Sequence, residues 1–299
     1  MPIVEHTQAS PDGPIPPIVD SEWLRARLAN DPLVTICHVG STMAGPDPLD
    51  DFEHRHLPGA RFVSLDEVLA APPSGTAGRH PLPSPADFAQ SLGALGVADD
   101  ATVIAYDERG GAFAGRLVWM LRILGQRAAL LDGGIDTWAG DPSDDVEHRP
   151  VATDRFAGVS VERVVRDWPL DALADAIDVA EHLRNDGVVI DSRDPARYAG
   201  AIEPIDSVAG HVPGAVNLLF SDNLDSDGRF RSADELRARF APFTDDADRA
   251  IVYCGSGVTA CHNALAMEHA GFGLPRVYVG SWSGWTADPE RPVATGDRP

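Results

Sequence analysis

Only three cysteines occur in the sequence, Cys37, Cys254 and Cys261, an odd and widely spaced set. The set is too small for a disulfide framework and has no metal-ligand spacing, so neither disulfides nor a metal site is expected. The chain also lacks any run of about 18 uninterrupted apolar residues, which leaves no stretch suited to crossing a bilayer. Residues 1–17 are Pro-rich and polar, without the basic and then apolar order of a secretion signal. They read as a flexible arm, and a cytoplasmic location is the expectation. Positive charge is scarce as well: 24 basic residues against 46 acidic ones give a formal net charge of −22. Nucleic acid and anionic membrane surfaces are therefore poor partners. An anionic substrate would need locally placed arginines or helix N-termini to offset the overall field.

What is present is a repeat. His56-Leu57-Pro58-Gly59-Ala60 recurs as His211-Val212-Pro213-Gly214-Ala215, 155 residues later. In the first half an apolar segment, residues 102–106, leads into Asp107-Glu108-Arg109-Gly110-Gly111 and then a helical stretch through Leu117, Trp119, Met120, Leu121 and Leu124. The second half repeats the plan with residues 250–253, then Cys254-Gly255-Ser256-Gly257 and a helical stretch through Ala260, Ala264, Leu265 and Met267. Each half closes with a short apolar segment and a Gly/Trp run, ending at Trp138 and at Trp282 and Trp285. Each opens with an amphipathic helix, expected over 21–29 with Ser21 as its N-cap and over 170–183, feeding a strand at 33–36 or 188–190. Short strands alternating with helices predict an α/β fold of two tandem domains, each a doubly wound, mostly parallel sheet flanked by helices. The expected boundaries are an arm at 1–17, a first domain at 18–150, a linker at 151–167 and a second domain at 168–299.

In an open parallel sheet, ligands sit at the carboxyl ends of strands, against the free N–H groups of the next helix. Cys254 stands at such an end. A thiol facing amide donors and the positive end of a helix is favoured as thiolate. Gly255 and Gly257 allow the backbone to curl so that successive N–H groups converge, which suits an anionic persulfide equally well. The counterpart in the first half is Asp107, which has no thiol chemistry, so only the second domain is expected to be active.

These residues resemble the tandem-domain rhodanese family, and the loop from Cys254 to Thr259 is similar to that of 3-mercaptopyruvate sulfurtransferases. The likeness extends from about Ile18 to Ala287, taking in both His-x-Pro-Gly-Ala segments, Asp191-Ser192-Arg193 and the run from Gly280 to Trp282. It implies a noncatalytic first domain, a persulfide carried on Cys254, and a cradle made by the amides of Gly255, Ser256, Gly257, Val258 and Thr259. It further implies that Arg193 and Arg197 bind the anionic end of a small sulfur donor, and that Ser256 works with His56 and an acidic partner. Asp47 fits that partner best by spacing. The outer sulfur would pass to cyanide, a small thiol or thioredoxin, with no metal or organic cofactor.

The loop also discriminates between donors. Thiosulfate-preferring relatives carry basic residues directly after the cysteine, whereas Gly255 and Ser256 are neutral and favour a monocarboxylate thiol. Thiosulfate remains the alternative, since Arg193 and Arg197 suit it too. A cysteine phosphatase would need an arginine at the end of the loop, where Val258, Thr259 and Ala260 stand. A binding module without catalysis describes the first domain better than the second. Cys37, beside His38, reads as a buried thiol, and Cys261 as a helix packing residue.

Overall fold

The computed structural model describes residues 14–43, 45, 47–138 and 160–299, with nothing stated of the Asp51 side chain. Strands β1 (Ile18–Val19), β2 (Val34–Gly40), β3 (Arg61–Ser64), β4 (Thr102–Tyr106) and β5 (Ala128–Leu131) form one sheet in the order β1-β5-β4-β2-β3. Strands β6 (Leu173–Ala174), β7 (Val188–Asp191), β8 (Val216–Asn217), β9 (Ala250–Tyr253) and β10 (Arg276–Tyr278) form a second, ordered β6-β10-β9-β7-β8. The two orders are the same permutation. Every ladder between these strands is parallel. The central strands β4 and β9 are buried along their whole length, as expected of a parallel sheet covered on both faces.

Helices α1 (Ser21–Leu28), α2 (Pro48–His54), α3 (Leu65–Val68), α4 (Pro85–Ala94), α5 (Ala114–Ile123) and α6 (Gly134–Trp138) belong to the first unit. Helices α7 (Ala176–Arg184), α8 (Pro195–Tyr198), α9 (Ala233–Phe240), α10 (Ala260–His269) and α11 (Ser281–Trp285) belong to the second. Most of the longer ones start on a side-chain cap. Ser84 caps α4 ahead of Pro85, while Asp175 with Asp178, and Ser232 with Glu235, close reciprocal capping boxes on α7 and α9, satisfying N–H groups that the helix itself leaves free. Helices α5 and α10 have no such cap at the adjoining residue. Their free N–H groups are left to the loops that precede them, which is where the two domains diverge.

Three details differ from expectation. Asp20, not Ser21, caps α1, its carboxylate accepting the Trp23 N–H at 2.7 Å. The helix expected over 170–183 begins only at Ala176, because Leu173 and Ala174 pair with Val277 and Tyr278 as an edge strand. Of the expected arm, residues 14–17 are described, and Ile15 and Pro17 among them are buried. Of the linker, residues 160–167 are described. Val161 donates to the Gly93 carbonyl at 2.9 Å and Arg163 to the Val97 carbonyl at 2.7 Å, so this stretch lies along the first domain.

One apolar core runs through both domains. Cys37, Val39, Val103, Leu117 and Leu121 of the first share it with Val252, Ala260, Cys261, Ala264 and Leu265 of the second. Helices α5 and α10 meet at Gly115, where a Cβ would come within 3.5 Å of the His262 backbone nitrogen. The opposite face of the first sheet has its own core of Ile36, Phe52, Leu57, Tyr106 and Leu131. These two faces decide which side chains can reach Cys254.

Candidate active site

Cys254 lies directly after β9 and is 2 % exposed. Its sulfur accepts the Gly257 N–H at 3.2 Å, which closes the loop into a cradle. Gly257 has φ +77°, and a Cβ there would strike the Val279 carbonyl oxygen at 2.4 Å, so no other residue fits. From behind, the Ser281 hydroxyl accepts the Cys254 N–H at 3.1 Å and donates to the Tyr278 carbonyl at 2.8 Å. Ser281 holds φ +52°, a conformation that costs a non-glycine residue about 1–2 kcal/mol and is retained here behind the thiol. The Trp282 and Ser283 N–H groups donate to the Cys254 and Gly255 carbonyls, both at 3.0 Å. Ser256 and Val258 are buried beside the cysteine, and Thr259 stands at the head of α10.

The equivalent loop in the first domain is filled. Asp107 follows β4 and is buried, and its two carboxylate oxygens accept four backbone N–H groups. Arg109 and Gly111 donate to one oxygen at 2.7 and 2.9 Å, Phe113 and Ala114 to the other, both at 2.7 Å. A carboxylate thus satisfies the free end of α5 and the curled loop together. This is the anion-binding geometry expected of such a loop, occupied by the chain's own side chain.

The basic residues around the cradle are all arginines, since the sequence has no lysine. Arg197 lies against the loop, its two terminal nitrogens each 3.6 Å from where a Gly255 Cβ would stand. Arg79, from the first domain, reaches the same point at 2.9 Å. Arg79 pairs with Asp206, and Arg197 donates to Glu203 at 2.7 Å and to Asp206 at 3.1 Å. Burial pushes the Asp206 carboxyl up, with Glu203 adding to that and Arg79, Arg197 and Arg193 opposing it. The Glu203 carboxyl also feels burial, but Arg197 and two backbone donors outweigh it and hold it down.

Arg193 is placed differently from Arg197. Its guanidinium is 1 % exposed, makes a bidentate pair with Asp191, donates to the Gly210 carbonyl at 2.6 Å and lies 4.8 Å over the Trp282 ring. Burial alone would favour its neutral form, but the Asp191 carboxylate reverses that and strengthens the cation. Through its contact with Glu203 it stands behind Arg197 rather than beside the thiol.

The structure does not bring His56 to Ser256. His56 stacks on Phe52 with ring centroids 4.3 Å apart, and its Nδ1 meets the Phe52 carbonyl at 2.7 Å. Phe52 belongs to the core on the far face of the first sheet, so the sheet stands between His56 and the cradle. Its repeat counterpart His211 is likewise stacked on an aromatic ring, that of Tyr198, and bonded to the Tyr198 carbonyl. Asp47 is exposed and caps α2, accepting the Leu49 N–H at 3.0 Å. Cys37 is fully buried, its thiol pushed up to about 12 by burial, and Cys261 is likewise held at about 12 with its Sγ 3.4 Å from the Gly257 carbonyl.

A different histidine belongs to the segment that meets the loop, next to Arg79. His80 Nε2 is 3.8 Å from Asp66, whose carboxylate also accepts the Thr42 N–H at 2.8 Å and the Ser41 and Thr42 hydroxyls. His80 Nδ1 is buried and has no hydrogen-bond partner among the described residues. Burial, helped by the Arg116 charge, lowers the imidazole to about 4 and keeps it neutral at neutral pH. Arg116 ties this segment to the cradle: it donates to the His80 carbonyl at 2.7 Å and to the Gly257 carbonyl at 2.9 Å. Sequence spacing gave no signal for Arg79, His80 or Asp66. Arg116 carried one, a charge immediately before the apolar stretch Leu117 to Leu121.

No group of His, Cys, Asp or Glu able to hold a metal is found among the described residues, nor any helix long and apolar enough to cross a membrane.

Two segments, residues 21–141 and 175–288, match the rhodanese-like domain model. The chain is 41 % identical to a Pseudomonas aeruginosa protein named "Probable 3-mercaptopyruvate sulfurtransferase", over 94 % of this chain and 98 % of that one. It is 34 % identical to the thiosulfate sulfurtransferase of Mus musculus, over 82 % and 83 % of the respective chains. The solved structure of the 3-mercaptopyruvate sulfotransferase SseA from Escherichia coli superposes with a TM-score of 0.72 at 30 % identity, covering 90 % of this chain and 100 % of that one.

Proposed function

The chain belongs to the rhodanese family and is a sulfurtransferase, and on that footing we propose that it takes sulfur from 3-mercaptopyruvate and passes it on through a Cys254 persulfide. The observation that carries this reading is the convergence of Arg79 and Arg197, one from each domain, on Gly255 at the head of an otherwise neutral loop. Paired guanidiniums suit a carboxylate. Their charge is already balanced by Glu203 and Asp206, which favours a singly charged carboxylate over a doubly charged donor.

In the first step Cys254 thiolate attacks the donor sulfur. A sulfur–sulfur bond forms, the carbon–sulfur bond breaks, and its electron pair goes to C3 of the departing pyruvate enolate, which is then protonated. The new persulfide anion lies where the Gly257 N–H and the free end of α10 favour negative charge. A cyanide, a small thiol or a thioredoxin thiolate then attacks the outer sulfur and restores Cys254 thiolate. We assign the proton traffic to Ser256 with His80, whose neutral ring is oriented by Asp66 and leaves Nδ1 open, in place of His56 and Asp47. Arg193 serves as the support that fixes Glu203 and, through it, Arg197.

Specificity constants for 3-mercaptopyruvate and thiosulfate, measured with one common acceptor, test the donor. The reading predicts a preference for mercaptopyruvate of at least about tenfold, on the order of one charge-assisted contact. A preference for thiosulfate would replace the donor and leave the nucleophile in place.

A further inference from the structure

Arg116 is a fully buried cation with no carboxylate partner among the described residues. It sits on α5 of the domain that lacks the cysteine, is 0 % exposed, and directs its guanidinium at carbonyl oxygens alone: Leu69 at 3.0 Å, His80 at 2.7 Å, Pro81 at 3.3 Å and Gly257 at 2.9 Å. A buried charge is ordinarily paired with an opposite one, because carbonyl dipoles replace only part of the lost hydration. Burial weakens this cation. Arginine cannot shed its proton under these conditions, so the charge persists.

We propose that Arg116 is the buried counter-cation of the sulfur-transfer site, supplied by the noncatalytic domain to hold Cys254 as thiolate and as persulfide anion. The geometry connects the two through one residue. Arg116 fixes the Gly257 carbonyl, and the Gly257 N–H donates to Cys254 Sγ at 3.2 Å. Cys261 is also close, with its Sγ 3.4 Å from the same carbonyl, but burial pushes its thiol up to about 12 and leaves it neutral. The remaining charged groups facing the thiol are Arg79 and Arg197, each already engaged by Asp206 or Glu203, and beyond them the neutral His80 with Asp66. Among the described residues facing the thiol, Arg116 alone contributes a positive charge with no carboxylate partner. The role makes it a positioning residue that acts through the cradle, and it gives the first domain a part in the chemistry. This inference rests on the assignment of Cys254 as the nucleophile.

The test uses the full chain and a neutral alkylating probe, iodoacetamide, with modification at Cys254 followed by peptide mapping over a pH series. Arg116→Gln is expected to react about tenfold more slowly than the parent at pH 7, with its alkylation midpoint displaced upward. Arg116→Lys, which keeps the charge but not the fork, restores most of the rate. A folded Arg116→Gln variant with the parent's alkylation profile overturns the proposal, as does failure of lysine to recover the rate. Should the glutamine variant not fold, the parent decides: a buried counter-charge is insensitive to salt, so the midpoint stays fixed between low and high ionic strength. A midpoint that rises with salt assigns the role to exposed arginines and overturns the proposal. Loss of the nucleophile assignment is seen separately, as donor sulfur recovered on a residue other than Cys254.

Discussion

Asp107 and Cys254 occupy the same place in two copies of one fold, each directly after the central strand of its sheet, before the helix that faces the other domain. Asp107 fills its loop with a carboxylate that accepts four backbone N–H groups. In the second loop the Cys254 sulfur stands in that place and accepts the Gly257 N–H at 3.2 Å.

Removing that carboxylate should cost stability without touching chemistry. Asp107→Ala leaves four converging donors without their acceptor and is expected to lower stability by about 3 kcal/mol. The urea midpoint should drop while kcat per folded molecule stays at the parent's value. An unchanged midpoint would mean that the loop does not depend on its internal anion.

Arginines on the two sides of the site should separate by phenotype. Arg79→Gln and Arg197→Gln are expected to raise KM for a carboxylate donor about tenfold or more, with a smaller change in kcat. Arg193→Gln strands the buried Asp191 charge and is expected to destabilise the fold by about 3–5 kcal/mol. Steady-state kinetics with matched denaturation curves distinguishes these outcomes; a stable Arg193→Gln enzyme with a purely KM defect would place Arg193 at the donor instead.

The two histidines give an equally direct contrast. His80→Gln should lower kcat with mercaptopyruvate by about a hundredfold, whereas His56→Gln, on the far face of the sheet, should keep kcat and lose stability. The reverse pattern would return the proton role to His56.

Acid should weaken the fold through buried imidazoles. His38, His80 and His262 are each lowered to about 4, principally by burial, from 6.5. The unfolded chain binds their protons first, so this contribution is complete above pH 6.5 and is lost as pH falls toward 4. His262→Gln should flatten that part of the stability profile, measured as the thermal midpoint against pH. A slope unaltered by the substitution would remove His262 from the titration.

The doubled fold was legible because repeated spacing of strands, turns and the His-x-Pro-Gly-Ala segments survives in the linear sequence. The edge strands β1 and β6 were not: a two-residue strand shows no alternation, and Leu173 and Ala174 read equally well as the start of a helix. Asp20 and Ser21 are both competent caps, so only the backbone decides between them. At the site, the cysteine and its glycines stood out because they are contiguous. Arg79, His80, Asp66 and Arg116 reach it across the domain boundary, where sequence distance carries no information. His56 is repeated as His211, and both stack on an aromatic ring and meet that residue's carbonyl, the pattern of a turn common to both domains.

Donor sulfur must come to rest on one cysteine before it is passed on. Peptide-resolved mass spectrometry of the full chain, after brief treatment with 3-mercaptopyruvate and without acceptor, measures this directly. One added sulfur atom on the peptide bearing Cys254, removed by subsequent cyanide, is the predicted result. Added sulfur on Cys37 or Cys261, or none on any cysteine while pyruvate is released, would contradict it.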